Sequence, residues 1–436
     1  MIYLCTKKAI NAFLFTTLVF SFGSFANKSE NTKKGMNYLS FSHYFNKKKN
    51  KSDSMKTFQK MERLRSGAQK SLKALLARQP NNKELKIRYS ELLLQRARDL
   101  EQLGLEFQGE DDLLAKKSIN DSKKLYKTGL NIHKKMLPKM KGHKLEPKVY
   151  IEIARTERSL GNDREALKVL QSAQRKLKKI DHSTEKVLHR LLGDLYFDLS
   201  QMQSAQNSYN RAFALSKKGG MDHDYIKYRL AWTHYNLKDA KKSVDILVDI
   251  IKENSGRLAL KQEAIKDYAL FVGDFTKEQL KDHGGVEHIY RFISRHSKDE
   301  DANMAIEKLA HVFASDGRRV LAVDTLDFLI QHRPKNPDNA KLALIVVNWS
   351  ESLTDKKLLT KRFFWLIKNF GPQSEWYNSQ KNRVDIQKHA YVKIEENLRE
   401  YSQRLHKEAT KEKSENRKKK LEDTVAALYD AHIKAF

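Results

Sequence analysis

From Glu185 to Lys217 the apolar positions fall into two short amphipathic patterns placed end to end. Leu192, Gly193 and Tyr196 share one face of a 3.6-residue helix, and Ala205, Tyr209 and Ala212 share one face of a second. The polar stretch between them, near Ser200 to Gln203, predicts the turn of a helical hairpin. Gly193, Ala205 and Ala212 are small enough for two backbones to approach closely, while Leu192, Tyr196 and Tyr209 fill the space beside those contacts. A hairpin of this kind cannot bury its apolar faces alone, so it requires neighbours of the same sort.

The neighbours are in the sequence. Tyr150, Ile153, Ala154, Gly161, Ala166, Leu170 and Ala173 repeat the offsets upstream, and Leu230, Ala231, Ser243, Leu247 and Ile250 repeat them downstream. Ile306, Leu309, Ala310, Phe313, Gly317, Ala322, Leu326, Leu329 and Pro334 give a further copy, and Thr360, Phe364, Ile367 and Pro372 a later second helix. The pattern resembles the tetratricopeptide repeat, a helix-turn-helix unit of about 34 residues. The resemblance implies an all-α, right-handed α-solenoid of antiparallel helix pairs, with Ala154, Ala166, Leu192, Gly193, Tyr196, Ala205, Tyr209, Ala212, Ala231, Ala310 and Ala322 as repeat-packing positions. Here Ala166, Ala205 and Ser243 are 39 and 38 residues apart, so the repeat runs longer than usual. Glu157 and His234 stand where helix A usually carries tyrosine, which predicts irregular stacking.

Outside the clear repeats, the chain divides by composition. Lys7 and Lys8 precede an apolar run from Ala9 to Phe22, and small residues precede the bond after Ala26, as in a cleaved export leader over residues 1–26. An uncleaved anchor is the alternative, although the run falls short of the roughly 20 residues that span a bilayer. Residues 27–54 are polar and basic with no helical period, which predicts a flexible linker with order beginning near Met55. Residues 55–147 read as divergent helical repeats, 148–335 as tetratricopeptide repeats, and 336–436 as further repeat-like helices with one long charged helix, incomplete at the end. Lys139 to Lys148 reads as a basic loop. Capping-box spacing at Thr276 with Gln279 and at Ser297 with Glu300 predicts two helix starts.

Composition agrees with this division: only 6 Pro and 17 Gly in 436 residues favour long helices, and 32% charged residues suit the large solvated surface of a solenoid. Cys5 is the one cysteine and precedes the apolar run, so neither lipidation nor a disulfide is expected. A net charge of +30 favours acidic partners. Basic runs at helix ends are otherwise explained by the carbonyl termini they flank. Most aromatics lie on core-type faces rather than among the basic residues, which argues against nucleic acid, where interleaved aromatics would stack on bases.

Catalytic patterns are absent. There is no GxxxxGK[ST], GxGxxG or GxSxG, and Gly219-Gly220 and Gly284-Gly285 read as loop residues at positive φ. His283 and His288 lack metal-site spacing. No cofactor, metal or enzymatic activity is expected.

A narrower resemblance rests on YRLAWTHYNLKDAKKSVDIL at 228–247, LKQEAIKDYALFVGD at 260–274, and His406, Ala409, Leu428, Tyr429 and Phe436. These are similar to gliding-motility-type envelope tetratricopeptide proteins of predatory and gliding Gram-negative bacteria. That similarity implies a periplasmic scaffold or adaptor that binds protein or peptide partners in a cell-envelope assembly. By repeat register, the partner groove would be lined by Arg155, Asp194, Asp198, Trp232 and Asn236. Two other readings stay open: a basic nucleic-acid-binding solenoid if the leader does not work, and a module that binds cell-wall polymer or activates an enzyme acting on it.

Overall fold

The computed structural model describes residues 51–177, 180–253, 258–351 and 356–436. Residues 1–26, read from the sequence as an export leader, and the first part (27–50) of the stretch 27–54 read as a linker lie outside them. The described residues are 84% helical, without strands, and the helices pack pairwise as a tetratricopeptide-like all-α solenoid. No helix of the described residues is long and apolar enough to cross a membrane.

The chain divides into two units at Asp239 and Ala240. In the first, α1 (Lys51–Arg78) starts four residues before Met55 and ends ahead of Pro80. Then come α2 (Lys83–Phe107), α3 (Asp112–Met136) and a 3-10 turn, Leu137–Met140. They are followed by α4 (Glu146–Ser159), α5 (Asp163–Lys176), α6 (His182–Asp198), α7 (Met202–Ala214) and α8 (Met221–Asn236). The stretch read as a basic loop at Lys139–Lys148 therefore holds the end of a 3-10 turn and the start of α4, because Pro147 suits the first turn of a helix, where its missing N–H is no loss.

Helices pair in order: α2 with α3, α4 with α5, and α6 with α7. Between α4, α5 and α6 the core is a continuous cluster that includes Tyr150, Ala154, Ala166, Leu170, Ala173, Leu188 and Leu192. Ala205, Tyr209, Ala212 and Ala231 are also buried, and Tyr196 is half-buried, accepting a bond from Gln171 Nε2 at 3.1 Å through its hydroxyl. The close approach of α6 and α7 is set by Gly193, where an added Cβ would lie 2.6 Å from the Tyr209 ring.

The turns record the period directly. Gly161 (φ 82°), Ser200 (φ 61°) and Lys238 (φ 66°) follow the ends of α4, α6 and α8 in the left-handed conformation. In each case the next residue's N–H reaches back five residues: Asn162 to Glu157 O, Gln201 to Tyr196 O, and Asp239 to His234 O. These are Schellman-type closures, which satisfy carbonyls left open at a helix end.

The second unit contains α9 (Ala240–Lys252), α10 (Leu258–Gly273), the short α11 (Lys277–Asp282), α12 (Gly285–His296), α13 (Asp299–Ser315) and α14 (Arg319–His332). It continues through α15 (Asn339–Glu351), α16 (Lys356–Phe370), α17 (Glu375–Ser379), α18 (Val384–Lys411) and α19 (Glu415–Ala435). Ala310 and Ala322 are fully buried, and Gly317 repeats the Schellman closure through the Arg318 N–H on Phe313 O. The Thr276–Gln279 capping box forms as the sequence predicts and starts α11. The second predicted box does not form. Helix α13 starts at Asp299 with Lys298 before it, so Ser297 sits one residue too early, closes α12, and donates its hydroxyl to Asp301 instead. Of the glycine pairs, Gly219, Gly284 and Gly285 have positive φ, whereas Gly220 is extended at φ −78° as the residue preceding α8.

Candidate partner-binding face

Three arginines on three helices converge on two aspartates in the first unit. Asp194, 0% exposed on α6, accepts hydrogen bonds at Oδ1 from the hydroxyls of Tyr209 (2.7 Å) and Tyr225 (2.9 Å). Its Oδ2 faces Arg158 Nη1 at 3.5 Å and Arg190 Nη1 at 3.4 Å. One turn on, Asp198 Oδ2 pairs with Arg158 Nη2 at 2.5 Å, and its Oδ1 lies 3.5 Å from Arg229 Nη2. Arg229 also donates from Nε to the Tyr209 hydroxyl at 2.8 Å and stacks on Phe197 at 4.0 Å from the ring centre.

The electrostatics follow from this geometry. Burial by itself would raise the Asp194 pKa, but Arg158, Arg190 and Arg229, with the Tyr209 hydroxyl, overcome it and hold the carboxyl below its ordinary value. Asp198 goes the other way, because burial outweighs Arg158 and Arg229 and the neighbouring Asp194 charge adds to the rise. The cluster ties α4, α6, α7 and α8 together through charges largely removed from water.

Asp194 therefore does not line a groove: its carboxylate is enclosed and occupied, and Asp198 belongs to the same cluster with its side chain 7% exposed. Arg155 is the more open residue, with its side chain 38% exposed and Nη1 bonded to Glu152 Oε1 at 2.8 Å. On α8, Trp232 is half-buried, edge-on to Tyr235 at 5.8 Å, and Asn236 is exposed, donating from Nδ2 to Trp232 O at 2.8 Å. The structure thus brings Asp194 and Asp198 into one cluster, and Trp232 and Asn236 onto one turn.

An open cleft of about 510 Å³ lies between α1, α2 and α4. Ala68, Leu72 and Leu92 supply an apolar wall; Arg88, Arg98 and Lys148 face Glu91 and Glu152. Lys148 pairs with Glu91 at 2.5 Å, and Arg98 reaches Glu152 at 3.4 Å from the side opposite Arg155. Burial would raise the Glu152 pKa, yet Arg155 and Arg98 pull it below the usual carboxylate value. His133 of α3 is fully buried with both ring nitrogens lacking a hydrogen-bond partner; burial lowers its pKa despite the charges of Glu152 and Glu91. Sequence register pointed to neither the cleft nor the arginines of the cluster. The available signal was the i, i+4 spacing of Arg190 with Asp194 and of Tyr225 with Arg229, each beside a residue of the packing face.

No family model matches the chain, and a search of curated proteins gave no match. Among solved structures, the chain is similar to YrrB, a tetratricopeptide repeat protein with an unusual peptide-binding site (17% identity, 48% of this chain and 94% of that one, TM-score 0.32). It is similar to the apo form of RapI at 15% identity over 90% and 96% of the two chains, TM-score 0.42. It also resembles a tetratricopeptide repeat protein from Parabacteroides merdae at 15% identity over 69% and 98%, TM-score 0.33. The repeat architecture of this chain rests on its own helix pairing.

Proposed function

We propose that the protein is a non-enzymatic scaffold that holds an extended segment of a partner protein in the cleft between α1, α2 and α4. The observation that carries this reading is the cleft's combination of an apolar wall with a mixed-charge wall in which cations are in excess, Arg88, Arg98, Lys148 and the adjacent Arg155 against Glu91 and Glu152. Such a surface suits a segment that carries carboxylates beside an aliphatic side chain, with the charges selecting the partner and the apolar contact adding affinity. The setting we propose is the periplasm of a Gram-negative envelope, within an assembly of the motility type. That part rests on the leader-like residues 1–26 and on the sequence resemblance at 228–274.

The test is site-specific photocrosslinking in the native host, with the reactive residue at Gln95 inside the cleft or at Lys168 on the exposed face of α5. A defined adduct from Gln95, absent from Lys168 and lost when Arg98 and Lys148 are both changed to Glu, is the expected result. Equal adducts from both positions, or an adduct indifferent to the charge reversal, would remove the cleft from consideration. Intact mass and compartment of the recovered protein test the export reading: a species beginning at Asn27 supports it, and a full-length cytoplasmic species overturns it.

A further inference from the structure

The exposed side of α3 carries lysines along its whole length rather than only at its end. Lys116, Lys123, Lys127 and Lys134 are separated by 7, 4 and 7 residues, which places them in one row spanning about 27 Å at 1.5 Å per residue. Lys117, Lys124 and Lys135 form a second row about 100° around the helix. All seven are exposed, against Asp112 and Asp121 on the same helix. Lys124 pairs with Asp121 and Lys134 with Glu157; the other five make no ion pair among the described residues. The opposite side of α3, with Ala115, Ser118, Ser122, Tyr126 and Gly129, is buried, so the rows are held in fixed orientation by the packing of α3 on α2.

The charged face extends beyond one helix. Lys127 and Lys134 line a cleft of about 730 Å³ together with Arg164 at the start of α5. Arg164, Lys168 and Arg175 then continue along the exposed face of α5 at i, i+4 and i+11, with Lys168 paired to Glu165 at 3.2 Å. Helix-end carbonyls explain cations in a last turn. They do not explain Lys116 and Lys117, which lie in the first half of α3, far from its last turn.

We infer that this two-helix basic face is a docking surface for an anionic phospholipid bilayer. The exposed residues between the lysines are Asn120, Thr128 and Asn131, so the face lacks the apolar centre that a protein interface buries. It also has no aromatic side chain on which a base could stack. On α3 it is a rigid array of flexible, strongly hydrated point charges, and lysine does not read a phosphate or carboxylate by a fixed planar fork. Laterally mobile anionic headgroups meet such an array without needing a matching pattern of their own, with a gain of about fivefold in affinity for each lysine near the surface. The contact is peripheral and electrostatic, distinct from the peptide cleft.

The experiment is flotation of the full chain with vesicles of phosphatidylcholine alone or of phosphatidylcholine with phosphatidylglycerol. Wild type is expected to float with the anionic vesicles and to be released as salt rises from about 0.05 M to about 0.5 M, because exposed charges are screened over that range. The variant K116Q/K123Q/K127Q/K134Q is expected to lose at least about a hundredfold in affinity with an unchanged circular dichroism spectrum. A control, K407Q/K411Q/K419Q/K420Q, removes the same charge from exposed positions of the second unit and is expected to retain binding. Equal loss in both variants would mean that net charge alone acts, and would overturn the assignment. So would equal binding to neutral vesicles, which would place the affinity in an apolar segment. Displacement from vesicles by equimolar duplex DNA or polyglutamate would point to a polyanion of another class.

Discussion

Replacing Gly193 with alanine tests the helix contact on which the repeat register depends. In an exposed helix the change gains about 1 kcal/mol, because glycine has more backbone freedom to lose on folding. At Gly193 the new Cβ would lie 2.6 Å from Cδ1 and Cε1 of Tyr209 and 2.9 Å from Cγ, where ordinary contact begins at 3.4 Å. The ring must therefore move by nearly an ångström, and it has little freedom to do so. It is fully buried, and its hydroxyl is held by Asp194 at 2.7 Å and by the Arg229 Nε at 2.8 Å. Overpacking of a filled site costs about 1–3 kcal/mol, and the pinned ring puts Gly193 at the upper end, for a net loss of about 1–2 kcal/mol after the propensity gain. Gly67 in α1 is the internal control, since a Cβ there meets nothing within 4 Å and the same substitution gains about 1 kcal/mol. Hydrogen exchange read separately over α6–α7 and over α1–α2 resolves the two. Faster exchange in α6–α7 for Gly193→Ala with slower exchange in α1 for Gly67→Ala is expected. Unchanged or slower exchange in α6–α7 would show that the helices do not meet at this glycine.

Other consequences follow from the charge cluster and the turns. Asp194→Ala removes the carboxylate that Arg158, Arg190 and Arg229 share, and should cost about 3–5 kcal/mol in local stability, read as urea-dependent exchange over α4–α8. The folded pKa of Asp194 lies below its unfolded value, so its contribution is fully present above the ordinary aspartate range and is lost as pH falls through the folded value. The stability difference between wild type and Asp194→Asn should therefore be flat near neutrality and shrink only below about pH 4, and a difference that shrinks on approaching pH 6 would refute the assignment. Ser200→Gly should stabilise the α6–α7 turn by about 1 kcal/mol, because Ser200 holds φ 61° where Gly161 and Gly317 stand in the equivalent turns; an unchanged or lower melting temperature would count against the turn geometry.

The helix pairs were legible because their constraints are local and repeated. A small residue opposite a large one, recurring at 38 or 39 residues, has few explanations other than two helices in close contact, and Gly193 against Tyr209 is such a pair. Helix α11 was legible through its Thr276–Gln279 box, but Ser297–Glu300 was not, since a box one residue out of phase reads identically in sequence. The ligand face was harder. Register alone put Asp194 and Asp198 in a groove, yet both are enclosed by arginines contributed by α4 and α8, a convergence of residues 31 to 71 positions apart that no single-helix pattern contains.

That convergence bears on where a partner can bind. Helix positions committed to the Arg158–Asp194–Arg229 cluster exchange bonds with one another largely out of water, and using them for a ligand would expose charges at a cost greater than most contacts return. The groups left to recognise a partner lie elsewhere, as with Lys148, Glu152 and Arg155 on α4, and Arg98 on α2, which approaches Glu152. The wall opposite them comes from α1, a 28-residue helix with none of its described side chains buried. One side of the cleft is therefore fixed by the packed repeats behind it, while the other is held only by partly buried contacts and is the side able to adjust to what it holds. In the proposed scaffold role, a cleft built in this way would select a partner's charge pattern through α2 and α4, and would accommodate differences in side-chain size through α1.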